Sequence, residues 1–295
     1  MFPGKRTRIR FKKNMQHQEY EWTSKDSRKL FGQSWSPEKE GDITIMMVHG
    51  LGEHSGRYQR WAELFVEKSY NFISVDFRGH GRSEGKRGHA RTFERMLDDI
   101  DVLIRESAKI FPGSKLVMYG HSMGGNLALN HVIMRNYPLD ALIVTSPWLR
   151  LTRPPSDPVL VMAGILNRVI PSLQIPNGLN PDDISHDPEV VRHYTKDPLN
   201  HNRISLKLFF ELYNGGYHAL RNVYKINCPF LIMHGTGDNI TSHKASETYV
   251  LNTNNRTHLK LWEGQYHELH NELIYKDVFQ YIINWLSGYK LIPVQ

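Results

Sequence analysis

The residue best placed to do chemistry in this chain is Ser122, in the stretch Gly120-His121-Ser122-Met123-Gly124. A short apolar run at residues 115–119 precedes it and a helical pattern follows, so the chain must turn from strand to helix within a few residues. Such a turn strains the serine backbone and exposes its hydroxyl, and glycines two positions away avoid a collision. Gly125 lets the following helix pack close to the strand, and the helix N-terminus stabilises negative charge. Ser122 is therefore the candidate nucleophile; the alternative is a glycine-rich turn with an ordinary surface serine.

A nucleophilic serine needs a base that removes its proton and a third group that orients the base. In folds that place a G-x-S-x-G motif between a strand and a helix, the three catalytic residues follow in the chain order serine, acid, histidine. Asp238 follows the apolar run at 230–233, and His267 follows the last such run, at 258–262. Asp238 could instead be a turn or helix-capping aspartate, and His267 is one of 16 histidines. The agreement of three positions with three expected strand ends predicts the triad Ser122, Asp238 and His267.

The oxyanion of a tetrahedral intermediate needs two backbone N–H donors. One should follow the nucleophile, at Met123, and the other should lie in the loop after the predicted strand 43–48, at Leu51. Gly50 and Gly52 flank Leu51 and let the backbone approach a substrate closely. The sequence thus predicts an oxyanion hole formed by Leu51 and Met123, with an ordinary glycine turn as the alternative.

Predicted strands and helices alternate along most of the chain, which indicates right-handed crossovers and a mainly parallel sheet covered on both faces. The predicted strands are 28–35, 43–48, 72–75, 115–119, 141–145, 230–233 and 258–262. The predicted helices of the core are 57–69, 93–110, 126–136, 242–251 and 275–286. With the serine motif, this pattern predicts an α/β-hydrolase fold whose core comprises residues 15–146 and 223–295.

Residues 147–222 break the alternation, because they are rich in proline and contain two predicted helices, 158–170 and 204–213, without a convincing strand. An insertion after the sixth core strand lies over the carboxyl ends of the strands, where α/β sheets hold their sites. We interpret it as a helical cap. Helix 158–170 is apolar on nearly every face, and such a helix is most often buried. Burial is therefore expected; the alternative is a lid that contacts lipid or lines an acyl tunnel.

Length and composition favour one domain with an insertion. Six of the seven net positive charges lie in residues 1–14, so we expect a disordered basic tail and no nucleic-acid partner. Contact of this tail with anionic lipid stays open.

No apolar segment typical of a signal peptide follows the basic residues, and no run of 18 apolar residues occurs. With the single cysteine, Cys228, these features predict a cytoplasmic protein, with peripheral membrane contact through the cap as an alternative.

No cofactor and no metal are expected. In His267-Glu268-Leu269-His270 the histidines are three positions apart, whereas the zinc-binding helix motif needs a separation of four. The scattered histidines of the N-terminal half, His49, His54, His80 and His89, show no ligand spacing. A G-x-x-x-x-G-K-[ST] loop, which would indicate nucleotide hydrolysis, does not occur in the sequence.

Four stretches together resemble the monoacylglycerol lipase and lysophospholipase family of serine hydrolases: HGLGEHSGRY at 49–58, DFRGHGRSEG at 76–85, GHSMGG at 120–125 and YHELHNE at 266–272. The resemblance runs from about residue 20 to residue 286 and implies the same triad. It also implies a cap over an acyl-binding tunnel and hydrolysis of a glycerol monoester of a fatty acid. Four residues would then surround the glycerol end: Glu53, Arg57, Tyr194 and His270. Tyr194 matches the Tyr-x-x-Asp-Pro element of the family's cap, and Glu53 and Arg57 could equally form a structural ion pair.

Other functions stay open on the sequence alone. A lysophospholipid substrate would need cationic contacts near the alcohol site, for which Arg57 is a candidate, and a general carboxylesterase is a further alternative. A capped aminopeptidase would need cap carboxylates to bind a free amine, and the cap offers Asp182, Asp183 and Glu189. A binding protein without catalysis would have no need of Asp238 and His267. Neither the acyl-chain length nor the oligomeric state is predicted.

Overall fold

The computed structural model describes residues 8–10, 15–253 and 257–293. The strands are β1 (Arg8–Arg10), β2 (Met15–Thr23), β3 (Lys29–Pro37), β4 (Ile43–Val48), β5 (Asn71–Val75), β6 (Lys115–His121), β7 (Ala141–Thr145), β8 (Gln174–Pro176), β9 (Arg203–Ser205), β10 (Phe230–Gly235) and β11 (Thr257–Trp262). The α-helices are α1 (Gln59–Glu67), α2 (Phe93–Ile110), α3 (Met123–Arg135), α4 (Asp157–Val169), α5 (Pro188–Lys196), α6 (Leu206–Arg221), α7 (His243–Leu251) and α8 (Tyr275–Gly288).

Nine strands form the central sheet in the spatial order β1-β2-β3-β5-β4-β6-β7-β10-β11. Every pair from β5 to β11 is parallel, whereas β1, β2 and β3 add antiparallel pairs at one side. Parallel strands place their carboxyl ends at one edge, where the loops after β4, β6, β10 and β11 meet. The α/β-hydrolase fold predicted from the sequence is confirmed.

Helices cover both faces of the sheet, which explains why the central strands read as continuous apolar runs. Every residue of β4, β5, β7 and β10 is buried. One face packs against α2, α3 and α6, and the opposite face packs against α1 and α8. Three elements have the bounds expected from the sequence, at 43–48, 93–110 and 141–145, and β2 is a strand that the sequence pattern did not predict.

Residues 147–222, which we call the cap segment, lie between β7 and β10 in the chain. The segment contains three helices, α4, α5 and α6, and a two-stranded antiparallel sheet of β8 and β9. The expectation of two helices without a strand is therefore wrong. The missed strands are three residues each, too short to show an alternating pattern, and the second predicted helix, at 204–213, starts at Leu206 and extends to Arg221.

Helix α4 is not buried, contrary to the expectation for an apolar helix. All of its residues are at least partly exposed, and the exposed fraction reaches 63% at Val161 and 74% at Val169. Its apolar neighbours Ile170, Leu173 and Ile175 are exposed as well. The physical reason is that α4 packs against α6, and this contact leaves most of its apolar surface facing solvent. No helix among the described residues is both long and apolar enough to span a bilayer.

The basic segment at residues 1–14, expected to be a disordered tail, contains a short strand. Arg8–Arg10 pair antiparallel with β2, with Ile9 opposite His17. The other residues of that segment lie outside the described part of the chain.

Candidate active site

Ser122 stands at the sharp turn between β6 and α3, as the sequence predicts. Its backbone has φ 55° and ψ −117°, a strained conformation for a residue with a side chain. The turn is held on both sides, because Ser122 N donates to Thr145 O at 3.0 Å and Ser122 O accepts from Trp148 N at 3.0 Å. A Cβ atom at Gly120 would lie 2.6 Å from Gly124 O, and one at Gly124 would collide with Val48 O. The predicted need for both glycines is confirmed.

The loops after β6, β10 and β11 bring Ser122, Asp238 and His267 into one hydrogen-bonded relay. Nε2 of His267 lies 2.9 Å from Ser122 Oγ, and Nδ1 lies 2.7 Å from Asp238 Oδ2. Asp238 and His267 are each 3% exposed. With the Nδ1 proton directed to the carboxylate, Nε2 is free to accept the serine proton. The geometry is that of a base poised between a nucleophile and an orienting acid.

The carboxylate of Asp238 is held by more than the histidine. Oδ1 accepts from Ile240 N at 2.7 Å and Thr241 N at 2.9 Å, and Oδ2 accepts from the Thr241 hydroxyl at 2.9 Å. His234 Nε2 lies 3.1 Å from Oδ2. Burial opposes the charge, yet His267 and His234 hold the pKa of Asp238 well below its usual range. The acid is thus ionised and fixed in position.

The pKa of His267 is shifted in the opposite direction. Burial would lower this pKa, but the charge and hydrogen bond of Asp238, together with the charges of Glu268 and Glu53, raise it above the ordinary value of 6.5. A raised pKa means that the imidazolium formed on proton transfer is stabilised in place. This is the property a general base needs when it must hold a proton and then return it.

The candidate oxyanion donors also occupy suitable positions. Met123 is the first residue of α3, and Leu51 follows Gly50 in the loop after β4. Within the described residues, neither Leu51 N nor Met123 N donates to another protein group, so both remain free for a ligand. Gly50 N donates to Glu53 Oε1 at 2.6 Å, which shapes the loop. Gly52 has φ 77°, and a side chain there would collide with His201 O of the cap segment.

Glu53 and Arg57 form the structural ion pair that the sequence left open, and a third residue joins them. Arg57 Nη1 lies 2.5 Å from Glu53 Oε2, and the Arg57 guanidinium binds Glu268 in a bidentate manner, with both distances 2.7 Å. Glu53 Oε1 also accepts from Tyr58 OH at 2.7 Å. Burial opposes ionisation, but Arg57 holds the pKa of Glu268 at about 2. We call Glu53, Arg57 and Glu268 the ionic brace; it connects the loop of Leu51 to the loop of His267.

The four residues expected around a glycerol group separate into two pairs. Glu53 and Tyr194 line the cavity above Ser122, whereas Arg57 and His270 are not among its lining residues. Arg57 is engaged in the brace and stacks on the Tyr194 ring at 4.6 Å. His270 is 1% exposed and stacks on Tyr58, with ring centroids 4.8 Å apart. Its burial lowers its pKa to about 4, so the ring is a neutral packing residue.

A cavity of ≈490 Å³ opens at Ser122 and is roofed by the cap segment. Its volume lies within the range of small-molecule sites. One part of the wall is apolar, formed by Trp148, Leu151, Ile204 and Phe209. Another part is polar, formed by residues that include Asp183, Asn239 and Arg153. The cavity at the nucleophile is therefore lined by both apolar and polar side chains.

Sequence reasoning missed several residues that this site uses. Thr241 fixes Asp238, and its position three residues later is the spacing at which aspartates bind following backbone groups. Glu268 was adjacent to the predicted histidine, yet its partner Arg57 is 211 positions away and no local pattern links them. His234 contacts the acid from the C-terminal end of strand β10. Thr241 and His234 thus lie within four positions of Asp238, whereas only the fold brings Glu268 to Arg57.

The chain is similar in sequence to a known protein family and to several individual proteins. A family model described as serine aminopeptidase, S33, matches residues 39–274. The human monoglyceride lipase is 32% identical over 272 residues, which cover 89% of this chain and 88% of that protein. An uncharacterized abhydrolase domain-containing protein of Dictyostelium discoideum is 36% identical over 267 residues. This chain spans 28% of the length of that Dictyostelium protein.

The fold has counterparts among solved structures. The crystal structure of the Paleococcus ferrophilus monoacylglycerol lipase has a TM-score of 0.79 and 30% sequence identity, covering 88% of this chain and 99% of that one. A carboxyl esterase from Bacillus coagulans, solved in complex with glycerol, has the same TM-score at 20% identity, which shows a common fold.

Proposed function

The chain belongs to the monoacylglycerol lipase family of α/β-hydrolases, and from this premise we propose that it cleaves fatty-acid monoesters of glycerol through an acyl-enzyme on Ser122. At the coarser level it is a serine hydrolase of the lipase and esterase type. The observation that carries the proposal is the relay from Asp238 through His267 to Ser122, which ends at a cavity with an apolar wall.

The mechanism follows from the relay. His267 Nε2 takes the proton from Ser122 Oγ as that oxygen attacks the ester carbonyl, and Asp238 stabilises the resulting imidazolium. The N–H groups of Leu51 and Met123 donate to the developing oxyanion. Collapse of this intermediate expels the alcohol, which takes the proton from His267. A water molecule then attacks the acyl-enzyme by the same steps, and the fatty acid leaves.

The cavity and the surface of the cap support a lipid substrate. The acyl chain would lie against Trp148, Leu151, Ile204 and Phe209, since burying apolar area against them releases water. Outside the cavity, α4 presents a contiguous apolar face to solvent, and exposed patches of this kind commonly bind membranes or other apolar partners. We propose that this face contacts the lipid phase from which the substrate comes.

One observation bears on a second candidate, the aminopeptidase. Of the three cap carboxylates considered from the sequence, Asp183 lines the cavity, whereas Asp182 and Glu189 are not among its lining residues. A free amine could pair with Asp183. The matching family description also names an aminopeptidase. A lysophospholipase cannot use Arg57 as its phosphate contact, because the brace occupies that cation, and Arg153 is then the cation on the cavity wall that it would need.

A hydrolysis panel tests the proposal. Wild type and Ser122→Ala are assayed on a monoacylglycerol, a lysophospholipid, a short-chain ester and an aminoacyl amide. We expect the monoacylglycerol to have the highest kcat/KM, and Ser122→Ala to lose several orders of magnitude on every ester. Efficient cleavage of the amide would favour the peptidase, and near-wild-type turnover by Ser122→Ala would exclude the serine mechanism.

A further inference from the structure

Three polar side chains on the cavity wall have no role in the triad, the oxyanion hole or the ionic brace. They are Arg153, Asp183 and Asn239, and we call them the rim cluster. Asn239 Nδ2 lies 3.2 Å from Asp183 Oδ1, and Arg153 Nη2 lies 3.5 Å from Asn239 Oδ1. The amide of Asn239 thus connects a cation and a carboxylate on the cavity wall.

The rim cluster is attached to the loops that carry the reacting groups. Asn239 directly follows Asp238 in the chain. On the cap side, His267 N approaches Asp183 O at 3.5 Å, and Glu268 N donates to Ile184 O at 2.8 Å. These backbone contacts hold the turn of Asp183 against the loop of His267. In ester cleavage the departing alcohol takes its proton from that histidine, so groups on this side are placed to meet the alcohol.

The polar groups that the family resemblance assigns to the alcohol are largely engaged elsewhere. Both carboxylate oxygens of Glu53 already accept hydrogen bonds, from Gly50, Tyr58 and Arg57. Arg57 and His270 are outside the cavity wall. Asp183 differs, because its Oδ1 has one long hydrogen bond and its Oδ2 has no partner within the described part of the chain. A carboxylate oxygen with free capacity readily accepts from hydroxyl groups.

We propose that the rim cluster binds the hydroxyl groups of a polyol leaving group, with Asp183 accepting from one hydroxyl while Asn239 and Arg153 donate to another. The inference rests on the proposed ester hydrolysis and specifies its alcohol side. Enzymes built to hydrogen-bond a substrate hydroxyl discriminate strongly against analogues that lack it. Asp183 is then a specificity determinant for glycerol esters over simple alkyl esters.

The test compares kcat/KM for a monoacylglycerol and for the methyl ester of the same fatty acid. The variants are Asp183→Ala, Asp183→Asn and the matched control Asp182→Ala, which removes the neighbouring, exposed carboxylate. Loss of a hydrogen bond to a charged group corresponds to roughly a 10- to 100-fold loss of the glycerol-to-methyl ratio in Asp183→Ala. Asp183→Asn, which keeps the shape, should retain part of the ratio, and Asp182→Ala should keep the wild-type ratio.

Several outcomes would overturn the inference. An unchanged ratio in Asp183→Ala would remove this residue from the alcohol site, and an equal loss on both esters would make its role structural. A loss confined to aminoacyl substrates would assign Asp183 to a cation instead. If Asp183→Ala fails to fold, Asn239→Ala repeats the comparison. Failure of the proposed function itself is distinguishable, because it would appear as methyl-ester hydrolysis that survives in Ser122→Ala.

Discussion

The catalytic loops and the cap helix α4 differ in how many protein contacts their side chains make. In the loops, the Asp238 carboxylate accepts from two backbone N–H groups and the Thr241 hydroxyl besides its histidine contacts. In α4, by contrast, Val161, Met162 and Val169 are each more than 60% exposed, although the helix is strongly apolar. The catalytic loops are therefore rich in internal contacts, whereas α4 is poor in them.

The difference indicates a division of labour. A transition state is stabilised by groups already fixed in place, so the catalytic loops need many internal hydrogen bonds. Exposure of an apolar face to water is unfavourable, and contact of that face with lipid lowers the free energy. We therefore expect substitutions of the triad and of the ionic brace to affect every ester alike, whereas substitutions in the cap should affect only particular substrates.

The largest effect should come from Asp238→Asn. The amide keeps the shape of the acid but cannot hold His267 in the required tautomer, and kcat should fall on the order of 10⁴-fold for long and short esters equally. Steady-state kinetics on both substrates measure this. Retained activity, with another aspartate proving essential, would contradict the assignment of the acid.

The next effect should come from the ionic brace. Arg57→Ala leaves two buried carboxylates, Glu53 and Glu268, without their cation, and loss of one partner of a buried pair costs about 3–5 kcal/mol of unfolding free energy. Denaturant unfolding measures the loss, with Arg105→Ala as control because Arg105 is exposed and its contacts with Glu106 and Thr23 O lie at the surface.

The brace also makes a kinetic prediction. Because it connects the loops of Leu51 and His267, Arg57→Ala should lower kcat for glycerol and methyl esters together. A selective loss on the glycerol ester would instead assign Arg57 to substrate binding, as the family resemblance implies, and would weaken the contrast between loops and cap.

A smaller effect concerns pH. His267 must be neutral to accept the serine proton, and its pKa is raised above 6.5, with Asp238 outweighing burial. Activity should therefore decline as pH falls, and the half-maximal point of kcat/KM should lie above pH 6.5. A pH profile on a soluble ester checks this, and a midpoint below 6.5 would contradict the charge arrangement around the histidine.

The smallest effect, limited to one substrate class, should come from the cap. A charge at Ile165, which is 55% exposed on α4, should lower the ratio of activity on vesicle-bound long-chain monoacylglycerol to activity on a soluble short ester several-fold, by roughly 1 kcal/mol. The matched control is Leu251→Lys, on an exposed apolar residue of α7. An equal change on both substrates, with a lower Tm, would mean that Ile165 serves packing.

The sequence predicted features that depend on neighbouring residues, and it missed features that depend on residues far apart in the chain. The order of the core elements from β3 to β7, and of β10, α7, β11 and α8, followed from local patterns. The predicted triad also came from local motifs, since Ser122, Asp238 and His267 each follow a core strand. The exposure of α4 was not predictable, because burial depends on what packs against a helix. The Glu53–Arg57 pair of the brace was named as an alternative, but its link to Glu268 was beyond reach, because Glu268 lies 211 positions from Arg57 in the chain. Asp183 was named among three cap carboxylates, but only the fold distinguished it from its neighbours.

The most direct test of the central claim is covalent labelling with a fluorophosphonate, followed by peptide mass spectrometry. The account predicts one adduct per chain, on Ser122, with loss of esterase activity in proportion to labelling. It also predicts slow labelling in Asp238→Asn, because the base is then misoriented. An adduct on another serine, or full esterase activity in fully labelled protein, would contradict Ser122 as the nucleophile.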